Sequence, residues 1–109
     1  MKPANYAPVY CSLYPALAEI TREHGYALAI HGTLGRDMDL ICIPWTEKPS
    51  APFDVVTAIC KEFALRPAMT DGGPCAKKLH GRMAYAIVFA GGGFIDLSFM
   101  PVVPTEKKE

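Results

Sequence analysis

The chain has 109 residues, half of them apolar, which is the length of one domain with a hydrophobic core of its own. Eleven basic and eleven acidic residues cancel, so the charge excludes a general nucleic-acid coat protein or a membrane-surface binder. No apolar run reaches the length of a membrane span, and residues 1–12 contain no apolar segment of the signal-peptide type. We therefore expect a single domain over residues 1–109, with no membrane partner.

The cysteines indicate a reduced protein. Their wide spacing gives no Cys-x-x-Cys pair, which argues against a structural zinc site. Two of the four, Cys42 and Cys60, fall within apolar runs, where cysteine behaves as a small hydrophobic residue. We expect a cytoplasmic protein without disulfides.

Hydrophobic periodicity predicts the elements in chain order. Apolar residues at helical spacing predict helices over residues 12–24 and 53–65, and strands are predicted at 26–31, 37–43, 83–90 and 94–100. The last two strands are joined by three glycines, as in a hairpin. Because the apolar residues of 37–43 do not alternate cleanly, we expect both faces of that strand to be covered.

This order of elements predicts an α+β fold. We expect a mixed β-sheet with two main helices packed on one face. Residues 1–11, which contain two prolines, and the charged tail 102–109 are expected to be irregular.

Three aspartates are placed to meet on one face of this sheet. Asp37 and Asp39 are two positions apart, and alternate residues of a strand point the same way, about 6.5 to 7 Å apart. Asp96 stands alone in an apolar run, 94–100, where its neighbours Ile95 and Leu97 face the core. If the two strands pair, the three carboxylates converge.

A carboxylate cluster points to a divalent cation. Close carboxylates repel one another, and the cost falls when a cation neutralises them. Oxygen ligands suit Mg²⁺ or Mn²⁺, which serve in phosphoryl transfer. The alternative is structural: Asp37 is a turn residue, while Asp39 and Asp96 pair with Arg36 or Arg82. The aspartates alone leave both interpretations open.

Three sequence blocks carry a family resemblance. They are HGTLGRDMDLICIPW at 31–45, KLHGR at 78–82 and FIDLSFMP at 94–101. In this order they resemble the nucleotidyltransferase superfamily, which includes DNA polymerase beta and the small bacterial antitoxin-type transferases. The chain also resembles small nucleotidyltransferase-like proteins of bacteriophages, for which the compartment would be the host cell cytoplasm. The likeness covers residues 26–101 and implies a minimal nucleotidyltransferase fold.

The resemblance implies the roles of the first and third blocks. Asp37 and Asp39 would be catalytic ligands of Mg²⁺ or Mn²⁺, and Asp96 would hold a second metal or deprotonate an attacking hydroxyl. The triphosphate of a nucleoside triphosphate would lie against the Gly32–Thr33 turn, where a glycine lets the backbone approach. The implied activity is transfer of a nucleotidyl group to an unknown acceptor.

Cationic and aromatic groups supply further candidates. Arg36 could donate two hydrogen bonds to a phosphate, and His80 and Arg82 of the second block are candidate nucleotide-binding residues. The alternative is a solvated loop, which is favoured more for Lys77 and Lys78 than for His80 and Arg82. Trp45 either stacks on a base or covers one end of the core.

The first block also departs from the family pattern. Only three residues, 34–36, separate the Gly32–Thr33 turn from Asp37, so the loop that holds the triphosphate in the family is shortened. This motivates a second hypothesis, a non-catalytic nucleotide-binding module that sequesters or senses a nucleotide. A third is an interaction domain that retains only the fold. No extended basic surface favours a nuclease, and a homodimer remains open.

Overall fold

The structure is a computed structural model that describes residues 5–69 and 73–104. It contains two α-helices and six β-strands, with short 3₁₀ turns before β5 and β6. In chain order they are α1 (Ala7–Glu23), β1 (Tyr26–His31), β2 (Met38–Pro44), α2 (Pro52–Phe63), β3 (Arg66–Pro67), β4 (Ala76–Lys77), β5 (Met83–Val88) and β6 (Phe94–Phe99).

The strands form one mixed sheet in the order β1-β2-β6-β5-β3, with β4 paired to β5. Strands β2 and β6 are parallel, while β1 with β2 and β5 with β6 are antiparallel. The predicted hairpin is confirmed, because β5 pairs with β6 from Met83↔Phe99 to Val88↔Phe94. The pairing of β2 with β6 brings the two aspartate-bearing strands together at the centre of the sheet.

Both helices contribute to a core on one face of the sheet, which confirms the predicted α+β class. The shared cluster takes Tyr10 and Leu17 from α1, four residues from α2, and alternate residues of the central strands. From β2 these are Met38, Leu40 and Cys42, all fully buried. Area removed from water by these side chains is the main source of stability.

The expectation that both faces of the 37–43 strand are covered was wrong. The apolar residues that break its alternation, Ile41 and Ile43, lie on the face without helices. Ile43 retains 38% of its accessible surface. The sheet therefore has an open face, to which Asp39 also belongs.

The expectation of an irregular segment over residues 1–11 was wrong from Ala7 onward. Helix α1 begins there because Pro8 occupies its first turn, where the missing N–H has no partner to lose. Tyr10 is fully buried, so packing also holds this turn. Residues 101–104 have no regular structure, while 1–4 and 105–109 lie outside the described residues.

Two tyrosines of this first turn hold the loops that lead into the central strands. The Tyr10 hydroxyl donates to the carbonyl of Arg36, just before β2. The Tyr6 hydroxyl donates to the carbonyl of Gly91, just before β6, at 2.9 Å. A Cβ on Gly93 would lie 2.7 Å from the Tyr10 hydroxyl oxygen, so only glycine allows this contact. The start of α1 thus fixes both carboxylate-bearing strands at their entry.

Replacing Tyr10 with phenylalanine tests this anchor. The Arg36 carbonyl loses its donor, and we expect the free energy of unfolding to fall by about 1 kcal/mol. Urea unfolding measures the change. An exposed hydroxyl that bonds only within α1, that of Ser12, gives the control Ser12→Ala, which should leave stability nearly unchanged. Equal stability of Tyr10→Phe and wild type would show that the hydroxyl does not anchor the loop.

Two further features concern membrane spans and the cysteines. Within residues 5–69 and 73–104, no helix has both the length and the apolar character needed to cross a membrane. All four cysteines are free, with Cys11 and Cys75 exposed and Cys42 and Cys60 buried.

Candidate functional site

Asp39 and Asp96 are direct neighbours on the open face of the sheet. They are register partners in the parallel pair of β2 and β6. Adjacent strands lie about 4.8 Å apart, so the two side chains emerge side by side. His31 of β1 pairs with Asp39 on one side, and Ala86 of β5 pairs with Asp96 on the other. The predicted convergence of these two carboxylates therefore holds, in a row that runs across four strands.

Burial, together with the neighbouring carboxylates, raises the pKa of the Asp96 carboxyl to about 6. Burial contributes most, followed by the negative charges of Asp39 and Asp37 and by a hydrogen bond with the Asp39 carboxylate. The positive charge of Lys78 acts in the opposite direction. The pair thus lies in a negative potential that a cation would relieve.

Asp37 occupies a different position from the other two aspartates. It precedes β2, which begins at Met38, and its Oδ1 accepts the Phe94 N–H at 3.1 Å. This bond ties the entry of β2 to the entry of β6. The Asp37 charge still raises the pKa of Asp96, although Asp37 is not among the residues that line the cleft around the pair. One oxygen of Asp37 therefore has a structural partner, and Asp37 itself lies in the loop before β2.

The carboxylates of the cleft fit a divalent ion that takes its other ligands from water and from a substrate phosphate. Among residues 5–69 and 73–104, no group of three or more His, Cys, Asp or Glu side chains is arranged to hold a metal ion. Mg²⁺ commonly takes only one or two carboxylates and completes its shell with water and substrate phosphate oxygens. Asp39 and Asp96 meet that lower requirement.

Gly32 lies directly against the Asp39 carboxylate. Its φ is +77°, and a Cβ there would lie 2.9 Å from Asp39 Oδ2. The left-handed conformation favours glycine, and the Asp39 carboxylate would have to shift to admit a Cβ. The Gly32–Thr33 turn therefore brings backbone next to the Asp39 carboxylate.

Replacing Gly32 with alanine should disturb both the backbone and the carboxylate. We expect the free energy of unfolding to fall by about 1 to 2 kcal/mol, the cost of a left-handed conformation for an L-residue. Gly35→Ala in the same loop is the matched control, because Gly35 lacks a positive φ and its nearest contact is 3.4 Å away. Chemical unfolding of both variants makes the comparison. A Gly32→Ala variant as stable as Gly35→Ala would contradict the contact.

A cleft of about 320 Å³ opens over this carboxylate pair. Its floor consists of the small side chains of Ala84 and Ala86 on β5 and Ala76 on β4, beside the pair. Polar groups surround the floor; they are His31, Asp39, Lys78, Arg82, Asp96 and Ser98. The cleft thus has a carboxylate side and a cationic side.

The cationic side is held by a closed loop at residues 78–82. The Lys78 N–H donates to the Arg82 carbonyl at 2.8 Å, and the Arg82 N–H donates to the Leu79 carbonyl at 3.4 Å. The Arg82 guanidinium donates from Nη1 to Ser98 Oγ at 3.1 Å and from Nε to the Leu79 carbonyl at 3.3 Å. Ser98 is 6% exposed and lies on β6 two residues beyond Asp96. Arg82 is therefore fixed over the sheet beside the carboxylates.

Four of the five predicted nucleotide-binding residues lie outside the cleft lining; they are Gly32, which contacts Asp39, and Thr33, Arg36 and His80. The Thr33 hydroxyl accepts the Gly35 N–H at 3.3 Å, and the Arg36 side chain is exposed near Gly92. His80 is exposed, with a left-handed φ of +63° at the tip of its loop. The structure therefore groups Arg82, but not Thr33, Arg36 or His80, with Asp39 and Asp96.

Sequence patterns identified some residues of the cleft and not others. The position of Ser98 could be predicted, because it lies two residues from Asp96 in β6 and so points to the same face of the sheet. The position of Lys78 was harder to predict, because the path of a loop does not follow a hydrophobic period. Trp45 is 79% exposed and lies six residues beyond Asp39, about 20 Å along β2. It does not line this cleft.

Comparison with known proteins adds no relative to this geometry. No protein-family model, no curated protein and no solved structure matches the chain.

Proposed function

We propose that the protein binds a nucleoside triphosphate together with Mg²⁺ or Mn²⁺ and transfers its nucleotidyl group to an acceptor. The observation that carries this proposal is the in-register placement of Asp39 and Asp96 within a cleft that also contains two cations. The order of the three sequence blocks, which resembles the nucleotidyltransferase superfamily, supports it. A site that contains both carboxylates and cations suits a phosphate with a bound metal ion better than it suits a free metal ion or a free phosphate.

In this proposal Asp39 and Asp96 share one role, and Asp37 has another. Asp39 and Asp96 would hold the divalent ion, which supplies stabilisation of the charge on the phosphate oxygens. Asp37 would contribute its negative potential and its free oxygen, while its other oxygen holds the start of β6. Gly32 would keep the backbone close to Asp39.

The transfer step uses Asp96 as the proton acceptor. The acceptor's hydroxyl oxygen attacks the α-phosphorus, the bond from that phosphorus to the bridging oxygen of pyrophosphate breaks, and the hydroxyl proton moves to Asp96. Pyrophosphate leaves with the electron pair of the broken bond.

A second candidate is nucleotide binding without turnover. The short loop between Thr33 and Asp37 and the position of Thr33 outside the cleft favour it, because little of the family's triphosphate loop remains. Such a protein would sequester or sense a nucleotide.

One experiment separates the two candidates. Wild type and Asp96→Asn are incubated with Mn²⁺, a bacterial extract that supplies acceptors, and ATP, GTP, CTP or UTP labelled at the α-phosphate. Binding is measured in parallel by calorimetry without extract. Transfer predicts label on an acceptor with wild type and none with Asp96→Asn. Binding alone predicts no transfer with either, and affinity that survives in Asp96→Asn. Absence of binding by wild type would contradict both candidates.

A further inference from the structure

We propose that Lys78 and Arg82 form the phosphate-binding pair of this site, so that the phosphates lie over β5 and β6 rather than over the Gly32–Arg36 loop. This inference rests on the proposed function. It assigns the phosphate-binding role to Lys78, for which the sequence favoured a solvated position. It withdraws that role from Thr33 and Arg36, for which the sequence had predicted it.

The charges of the cleft require such a pair. The carboxylates of Asp39 and Asp96 neutralise one divalent ion, so the phosphates need positive charge from elsewhere. Of the described residues that line the cleft, Lys78 and Arg82 are the permanently cationic ones. Arg36 is exposed and lies beside Gly92, at the entry to β6.

Arg82 is preorganised for an anion. Its bonds to Ser98 and to the Leu79 carbonyl use two of the five N–H donors of the guanidinium. The remaining donors are available to phosphate oxygens, and a planar guanidinium can contact two of them at once. An arginine already held in position loses less side-chain entropy when it binds.

Ser98 is the positioning residue of this arrangement. Its buried hydroxyl accepts from Arg82, and it lies two residues, about 7 Å, along β6 from Asp96. The sheet therefore sets the separation between the cation and the carboxylate. The Lys78 N–H donates to the Arg82 carbonyl, so the backbone of Lys78 is held in place relative to Arg82.

The position of Lys78 is supported independently of the loop geometry. Its side chain lines the same cleft as Asp39 and Asp96. The loop itself is packed against Pro101, where a Cβ on Gly81 would lie 3.2 Å from the Pro101 Cγ. Lys77, in contrast, belongs to β4 and alternates with Ala76, so it points away from the cleft floor.

The test is the dissociation constant of the Mn²⁺ complex of whichever nucleoside triphosphate binds wild type. The variants are Lys78→Gln and Arg82→Gln, with Lys77→Gln and Arg36→Gln as controls that remove the same charge. We expect losses of about tenfold to a hundredfold for the first two, as for other hydrogen bonds to charged groups. The controls should stay within about threefold, because exposed distant charges are screened.

Binding of Mn²⁺ alone separates this inference from the proposed function. It should be retained in Lys78→Gln and Arg82→Gln, since neither residue is a metal ligand. Ser98→Ala should weaken nucleotide binding, and Ser98→Thr, which keeps the hydroxyl, should restore it. Lys78 is exposed, so its variant remains informative if Arg82→Gln fails to fold.

The opposite pattern would overturn the inference. Lost affinity in Arg36→Gln with full affinity in Lys78→Gln would place the phosphates over the Gly32–Arg36 loop, and the proposed function would stand. Failure of wild type to bind any nucleoside triphosphate with Mn²⁺ would instead contradict the proposed function, and this inference with it.

Discussion

Replacing Asp39 with asparagine is expected to stabilise the metal-free protein and to abolish its response to Mn²⁺. The amide removes a negative charge that raises the pKa of Asp96, so the repulsion between the two carboxylates disappears. We expect a gain of about 1 kcal/mol, because solvent screens part of the repulsion between half-buried groups. Thermal unfolding with and without Mn²⁺ measures both effects.

The control for this variant is Asp54→Asn, which removes the same charge from the exposed first turn of α2. It should cost about 0.5 kcal/mol, because a carboxylate stabilises a helix N-terminus, and should keep the full response to Mn²⁺. Strong destabilisation by Asp39→Asn, in a protein whose wild type ignores Mn²⁺, would show that Asp39 is a structural partner instead.

Stability of the metal-free protein should fall as the pH rises from about 4 to 6. Asp96 has a folded-state pKa of about 6 against 3.8 in the unfolded chain. Between these values the folded state holds a proton that the unfolded state has released, so each rise in pH favours unfolding. The expected loss is about 1 to 2 kcal/mol after allowance for solvent screening. Urea unfolding across this range measures it.

Asp96→Asn should remove that slope, because asparagine does not titrate. In the presence of Mn²⁺ the wild type should show the opposite trend over the same range, since a metal binds the ionised carboxylate and must displace the proton. Parallel pH profiles for wild type and Asp96→Asn would contradict the assignment of the raised pKa to this carboxyl.

The central part of the fold and half of the site follow from periodicity. A period of two places Asp39 and Asp96 on the face opposite Leu40 and Leu97, and three glycines between apolar runs specify a hairpin. These features depend on local pattern alone, so the sequence was sufficient to predict them. The sequence left the pairing of β2 with β6 open, and the structure shows that the two strands are parallel neighbours.

The parts that the sequence did not predict depend on packing between distant segments. Pro8 suggested irregular chain, yet the burial of Tyr10 and its bond to the Arg36 carbonyl extend α1 to Ala7. Which arginine, Arg36 or Arg82, lies beside the carboxylates depends on the paths of loops, and hydrophobic periodicity does not predict loop paths. Ile41 and Ile43 suggested a covered face, although an open sheet face can also carry apolar side chains.

The central claim is that Asp39 and Asp96 bind a divalent ion together with a nucleotide. Its most direct test is thermal unfolding of wild type and Asp39→Asn with Mn²⁺ and ATP, GTP, CTP or UTP. A ligand that binds only the folded state must raise the midpoint. We predict a rise with Mn²⁺ alone, a larger rise when at least one nucleotide is added, and the loss of both in Asp39→Asn. An unchanged midpoint for wild type under every condition would contradict the claim and leave the two carboxylates as structural residues.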